Sequence, residues 1–208
     1  MYASPSYPPP DWPAVRTFVE RQVHGKLVAT GADGYPTASL IPYRYVPDPE
    51  GGWGRFEVHL VQGDPTLEAL AHRPQAGFLV DDFLAFTPHH VLDPDDAGLA
   101  TLHFYAVMFR VDATVLTDPA EVAAVLERLV ARYEPDARWA PLADDDRYGP
   151  RLRRLAAAVL TIRGYDAKFK VGQNRTPEER RRLAAYLRAQ GDPLAARAAR
   201  HLDPAGPS

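Results

Sequence analysis

A chain of 208 residues, 46% of them apolar, is long enough to bury a core of its own, which excludes a disordered reading. The formal net charge of −3 gives no field for avid nucleic-acid binding, and the lack of cysteine excludes disulfides, thiolate metal sites and a cysteine nucleophile. There is no run of about eighteen apolar residues and no basic-then-apolar leader in residues 1–10, so a cytoplasmic protein without membrane contact is expected.

Taken in chain order, Asp11 is placed to cap a helix over 12–23, where Val15, Phe18, Val19 and Val23 recur at helical spacing. From Lys26 the pattern turns β-rich. Residues 27–30, a Gly31-Ala32-Asp33-Gly34 turn and residues 35–46 predict a hairpin, with Pro36 and Pro42 at edges or bulges. In 53–61, Phe56, Val58 and Leu60 share one face of a half-buried strand, and Asp64-Pro65 opens a short helix to about residue 72. Two short apolar pieces, 76–81 and 84–87, precede a long β-rich run over 99–116; several strands at this spacing predict a barrel. Asp118-Pro119 starts a second amphipathic helix with the stripe Val122, Val125, Leu126, Leu129, Val130 and Tyr133. After a polar loop over 134–150 come a strand at 156–163 and a β-like piece at 168–171. Thr176-Pro177-Glu178-Glu179 then has the spacing of a capping box before a C-terminal helix.

Two patches carry candidate binding chemistry. Lys168 and Lys170 share a strand face, and Arg175 stands near the start of the last helix, where it can meet a phosphate bidentately; Gln173 and Asn174 add amide donors. A solvated basic strand followed by a routine helix cap is the alternative. In the second patch, Thr37 and Ser39 put hydroxyls on one strand face, with Leu40 and Pro42 exposing backbone beside them, while His59, Gln62 and Gly63 end a strand before the Asp64-Pro65 helix. An ordinary half-buried strand and a polar strand end read equally well there. The histidines lack metal-ligand spacing, so no metal is expected, and Asp81-Asp82 and residues 144–146 read as surface features. No nucleophile elbow, phosphate loop or dinucleotide fingerprint is present, so catalytic residues are not identified. The Arg180-Arg181-Arg182 run, with Arg188, Arg197 and Arg200, reads as a solvated helix face.

The order of these elements, and above all Lys168-Phe169-Lys170-Val171-Gly172-Gln173-Asn174-Arg175, resembles the PaiB-like FMN-binding family, with its Lys-Leu-Ser-Gln-Asn-Arg signature before a final helix. Met1-Tyr2 with the prolines that follow, the strand from His24 to Thr30 and the strand from Thr37 to Pro42 align in order as well. The resemblance implies a mainly β (α+β) fold, a split β-barrel of the FMN-binding type with peripheral helices. It places the barrel domain at 1–175, a helical extension packed on it at 176–202 and a tail at 203–208. It also implies a homodimer with clefts between subunits and FMN as cofactor. The junction at His59, Gln62 and Gly63, the 37–42 strand and the 168–175 segment would approach the flavin. The chain departs from the family at Val80-Asp81-Asp82-Phe83-Leu84-Ala85-Phe86 and at Ala100-Thr101-Leu102-His103-Phe104-Tyr105, where a Phe-Gln-Gly-Pro-His-Ala-Tyr and a Val-Pro-Thr-Trp-Asn-Tyr motif are usual. The activity implied is flavin redox, as in an FMN-dependent oxidoreductase, or flavin sensing. The alternatives are the transcriptional regulator of the family's older label, with nucleic acid as partner, and a barrel that has lost flavin and binds haem or nothing.

Overall fold

The computed structural model describes residues 4–206, so Met1, Tyr2 and the end of the tail lie outside the described residues. Seven strands and six helices are present among them. The strands are β1 (His24–Thr30), β2 (Pro36–Pro42), β3 (Arg44–Val46), β4 (Arg55–Val61), β5 (Gln75–Thr87), β6 (Thr101–Leu116) and β7 (Leu155–Lys170). The helices are α1 (Trp12–Arg21), α2 (Pro65–His72), α3 (Pro119–Tyr133), α4 (Gly149–Leu152), α5 (Pro177–Arg188) and α6 (Pro193–Leu202).

The strands form one mainly antiparallel sheet in the order β2-β1-β5-β6-β7-β4-β3. β2 and β3 stand at opposite ends of that order, yet only Tyr43 separates them in the chain. A sheet whose two edges are that close along the chain must curl, but the ladder does not close into a barrel. Pro42 helps end β2, because it has no N–H to donate. Tyr43 is fully buried; its hydroxyl donates to the Val19 carbonyl (2.6 Å) and its N–H to the Tyr133 hydroxyl (3.2 Å).

The chain divides into two compact units. The larger comprises Arg16–Val80 and Met108–Tyr165. Its core is aromatic: Phe56 lies 5.1 Å from Tyr43, 4.7 Å from Phe78 and 5.0 Å from Phe109 between ring centroids. Such pairs add about 1 kcal/mol each to the burial of their area. The apolar stripe of α3 buries Val122, Val125 and Leu129 with Leu152 and Ala157. Glu57, 2% exposed, is held by Arg128 at 2.9 and 3.0 Å and by Arg44 at 3.1 Å.

The other unit comprises, among the described residues, 4–15, Asp81–Val107 and 166–206. Here Leu84 packs with Leu183 and Leu187 of α5 and with Ala198, Ala199 and Leu202 of α6. The single C-terminal helix expected from sequence is two helices. Gly191, at φ +68°, turns the chain, and Asp192 caps α6 ahead of Pro193.

The two apolar pieces at 76–81 and 84–87 are one continuous strand, paired between β1 and β6, in which Asp82 meets Arg197 at 2.6 Å. The pieces at 156–163 and 168–171 likewise belong to one strand, β7. The basic cluster is not a uniformly solvated face. Arg182 donates to the Val91 and Leu92 carbonyls (2.6 and 3.1 Å), and Arg188 pairs with Asp203 at 3.4 Å.

Candidate functional site

The larger unit carries a groove of about 450 Å³, within the usual range for small-molecule sites, formed where β2 and β4 end beside α2. Alternation along β4 sends Phe56, Val58 and Leu60 to the core side and leaves Glu57, His59 and Val61 on the other face. Gly63 takes φ +85°, a conformation open to glycine, and lets the Asp64 N–H bond back to the Val61 carbonyl at 3.1 Å. That tight turn aims α2. Asp64 then caps the helix by accepting from the Thr66 N–H at 2.7 Å.

Ser39, Leu40, Ile41, Pro42, His59, Leu60, Val61 and Asp64 line the groove. Its walls mix polar and apolar surface, Ser39, His59 and Asp64 standing beside the aliphatic side chains, and Leu40 and Val61 are 65% and 60% exposed on its lip. His59 Nδ1 is buried and has no hydrogen-bond partner among the described residues. Burial pushes the His59 pKa down, so the ring is neutral at pH 7 and has one hydrogen bond to give or accept.

Of the residues named from sequence, the fold thus brings Ser39, Leu40, Pro42 and His59 to one groove. Thr37 stands in a neighbouring groove of about 360 Å³ beside His72 and Glu68, its Oγ1 3.2 Å from Thr66 Oγ1. Ser39 Oγ is within 2.9 Å of Asp64 Oδ1 and 2.8 Å of Thr66 Oγ1, so its one proton already serves the start of α2. Gln62 donates to the Leu155 carbonyl at 3.2 Å, tying the strand end to β7. Leu60, Val61 and Asp64 line the same groove but were not named as candidates from sequence. The period-2 step from His59 to Val61 was the available signal for one of them. A third groove, about 470 Å³ and also in this unit, has its rim cation Arg163 paired with Asp112 at 2.7 Å.

The 168–175 residues gather in the other unit. The ammonium groups of Lys168 and Lys170 lie 5.6 and 5.5 Å from the centre of the Tyr7 ring, and the Tyr7 hydroxyl donates to Asn174 Oδ1 at 2.8 Å. Gln173 is committed to the backbone, accepting from the Val171 N–H and donating to the Phe169 carbonyl, and so closes the turn. Arg175 is 3.8 Å from Glu179. Tyr7 was not named from sequence, since nothing local ties residue 7 to β7.

The family model described as "Putative FMN-binding domain" matches residues 1–163. The chain belongs to this FMN-binding domain family. FMN is therefore the cofactor that membership supports. The matched residues include the whole β2–β4 groove and stop short of the 168–175 segment. No curated protein matches the sequence. Among solved structures, the flavocytochrome Anf3 from Azotobacter vinelandii is similar at TM-score 0.60 and 17% identity, over 77% of this chain and 67% of that one. The FAD and heme binding protein from Mycobacterium smegmatis follows at TM-score 0.57 and 18% identity, over 76% and 70%. A conserved hypothetical protein from Mycobacterium tuberculosis has TM-score 0.55 and 16% identity, over 84% and 91%. At these identities the likeness is one of fold.

The groove fits one end of such a cofactor. A flavin ring needs apolar packing and a few polar contacts at its edge, which Leu40, Ile41, Pro42, Leu60 and Val61 and the unpartnered nitrogen of His59 supply. No Lys or Arg lines it. Lys26, directly opposite Leu40 across the β1–β2 ladder, is the cation that register brings beside its lip.

Proposed function

We propose that the chain is an FMN-binding protein of the PaiB-like branch, with flavin redox or flavin sensing as its activity, and that the β2–β4 groove takes the isoalloxazine ring. The observation that carries this reading is the buried His59 Nδ1, without a hydrogen-bond partner among the described residues, in a groove that Leu40, Pro42 and Val61 give an aliphatic lip. An unsatisfied buried nitrogen costs about 1–3 kcal/mol, which a ligand carbonyl or ring nitrogen would recover.

Bound FMN would supply the electron-accepting ring, and the protein's part is to bind and orient it. Leu40, Pro42 and Val61 hold the ring face and exclude water. His59, neutral and fixed at the strand end, contacts its polar edge. The groove also motivates a homodimer. Leu40 and Val61 stand exposed on its lip, and β2 is an edge strand; a second copy covering both would protect the edge and close the site.

The test is a visible spectrum followed by fluorescence titration with FMN and with riboflavin. The expected result is a flavin spectrum, with His59→Ala weakening both ligands about three- to tenfold, since a ring contact is common to both. Wild-type affinity in His59→Ala overturns the assignment of the groove. A Soret band, or salt-sensitive retardation of DNA, with no flavin bound would overturn the reading in favour of haem binding or regulation.

A further inference from the structure

The groove of about 470 Å³ in the larger unit runs across β1, β5, β6 and β7 and shares no residue with the β2–β4 groove. Leu27, Phe78 and Phe109 are fully buried in the core, so alternation puts Val28, Gly77, Met108 and Arg110 on the opposite face of their strands. Gly77 stands directly across the β1–β5 ladder from Val28 and makes the hollow. A Cβ built on it would come 3.1 Å from Met108 Sδ and 3.9 Å from Val28 Cβ, so the floor between those two side chains is bare backbone. Gly164 on β7 gives similar room to Arg110: a Cβ there would come 2.6 Å from Arg110 Nη2 and 3.3 Å from Cζ, so the guanidinium rests on the glycine.

Polar groups stand at the rim. Thr30, Gln75 and Arg163 line it and all three are exposed. Arg163 donates through Nε to Asp112 on β6 at 2.7 Å, which shows its side chain leaning from β7 toward β5. That contact fixes the plane of the guanidinium and leaves its two terminal amino groups to bind a further acceptor side by side. Gly77 and β7 are two strands apart, about 10 Å, a gap that an arginine side chain and a carboxylate on a ring bridge together. The floor itself suits a flat ring. A thioether makes favourable contacts with an aromatic edge, and the face of a guanidinium stacks on an aromatic ring.

We propose that this groove binds a planar aromatic carboxylate, its ring lying on Gly77 between Val28 and Met108 and its carboxylate accepting from the terminal amino groups of Arg163. The ligand is not a substrate for a flavin in the other groove. Pro36 lines this site and Pro42 the β2–β4 groove, at opposite ends of β2 and about 20 Å apart along the strand, too far for the two ligands to touch. It acts as an effector, and the inference stands whether or not the β2–β4 groove holds flavin.

The chain has two methionines, Met1 and Met108, so 13C-methyl-methionine labelling puts a reporter beside the floor, assigned with Met108→Leu. The full chain is titrated with benzoate at constant ionic strength. A saturable shift of the Met108 methyl is expected, with acetate, which has no ring, and benzamide, which has no charge, binding at least about tenfold more weakly. Arg163→Gln should raise the benzoate dissociation constant about tenfold, and Arg181→Gln, in the smaller unit, should leave it within about twofold. Gly77→Val fills the floor against the flexible end of Met108 and should abolish the response; Arg163→Gln carries the test if that variant does not fold. His59→Ala, which should weaken flavin, should leave the benzoate response intact. An unshifted Met108 methyl, equal affinity for benzoate and benzamide, or wild-type affinity in Arg163→Gln overturns the inference. A Met108 shift with riboflavin that benzoate displaces would overturn it too, and with it the assignment of the flavin ring to the β2–β4 groove.

Discussion

Protonation of His103 should set the acid side of this protein's stability. Burial, reinforced by the charges of Lys170 and Arg175, pushes its pKa from the ordinary 6.5 down to about 4. The unfolded chain therefore binds a proton there at a pH where the folded chain does not, and folding weakens as pH falls from above 6.5 through 4. The loss is about 2 kcal/mol between pH 7 and pH 5 and about 3 kcal/mol once the window is complete. His59, whose pKa burial also lowers, adds in the same direction. The perturbation is His103→Gln, which keeps a side-chain partner for Thr87 but does not titrate. Urea unfolding of wild type and variant at several pH values from about 7 to about 5 measures the effect as the difference between the two slopes. The variant should lose about 2 kcal/mol less than wild type over that range. Parallel curves would refute the reasoning, since they would mean that His103 titrates alike in the folded and unfolded states.

Arg128→Met should destabilise by about 2 kcal/mol, because it leaves Glu57 buried with Arg44 as its close partner; Glu57→Gln should cost less, since the two arginines are partly exposed and can turn to water. Burial alone would raise the Glu57 pKa, but Arg128 and Arg44 outweigh it and hold the carboxyl below the usual range. The gap between wild type and Glu57→Gln should therefore be full above about pH 4 and narrow below it, as read by urea unfolding. Asp64→Ala removes the α2 cap and the acceptor of Ser39, and should lower stability by about 1–2 kcal/mol in the same assay. In sedimentation the wild type should be a dimer at micromolar concentration, and Leu40→Glu should give monomers that have lost flavin affinity; a wild-type monomer with and without FMN would remove the dimer.

The sequence alone determined the elements whose signals are local. Asp64-Pro65, Asp118-Pro119 and Thr176 to Glu179 all start helices where the capping chemistry places them, and Thr176 with Glu179 forms the complete capping box. Alternation in 53–61 assigned Phe56, Val58 and Leu60 to the core side, and Ser39, Leu40, Pro42 and His59 could be named together because β2 and the end of β4 carry them in short segments that line one groove. The continuity of β5 through Asp81-Asp82 was not legible, because its pairing between β1 and β6 and the partner of Asp82, Arg197 more than a hundred residues later, are set only by the folded chain. Tertiary structure also decided which candidate side chains have capacity for a ligand. It turned Thr37, Ser39, Gln62 and Gln173 toward partners inside the protein and left His59 Nδ1 without one among the described residues. Tyr7 beneath Lys168 and Lys170, and His103 under the Gly172 turn, belong to no local pattern. Caps and alternation act between residues a few positions apart, whereas hydrogen-bond satisfaction and charge clustering act between residues that only the folded chain makes neighbours.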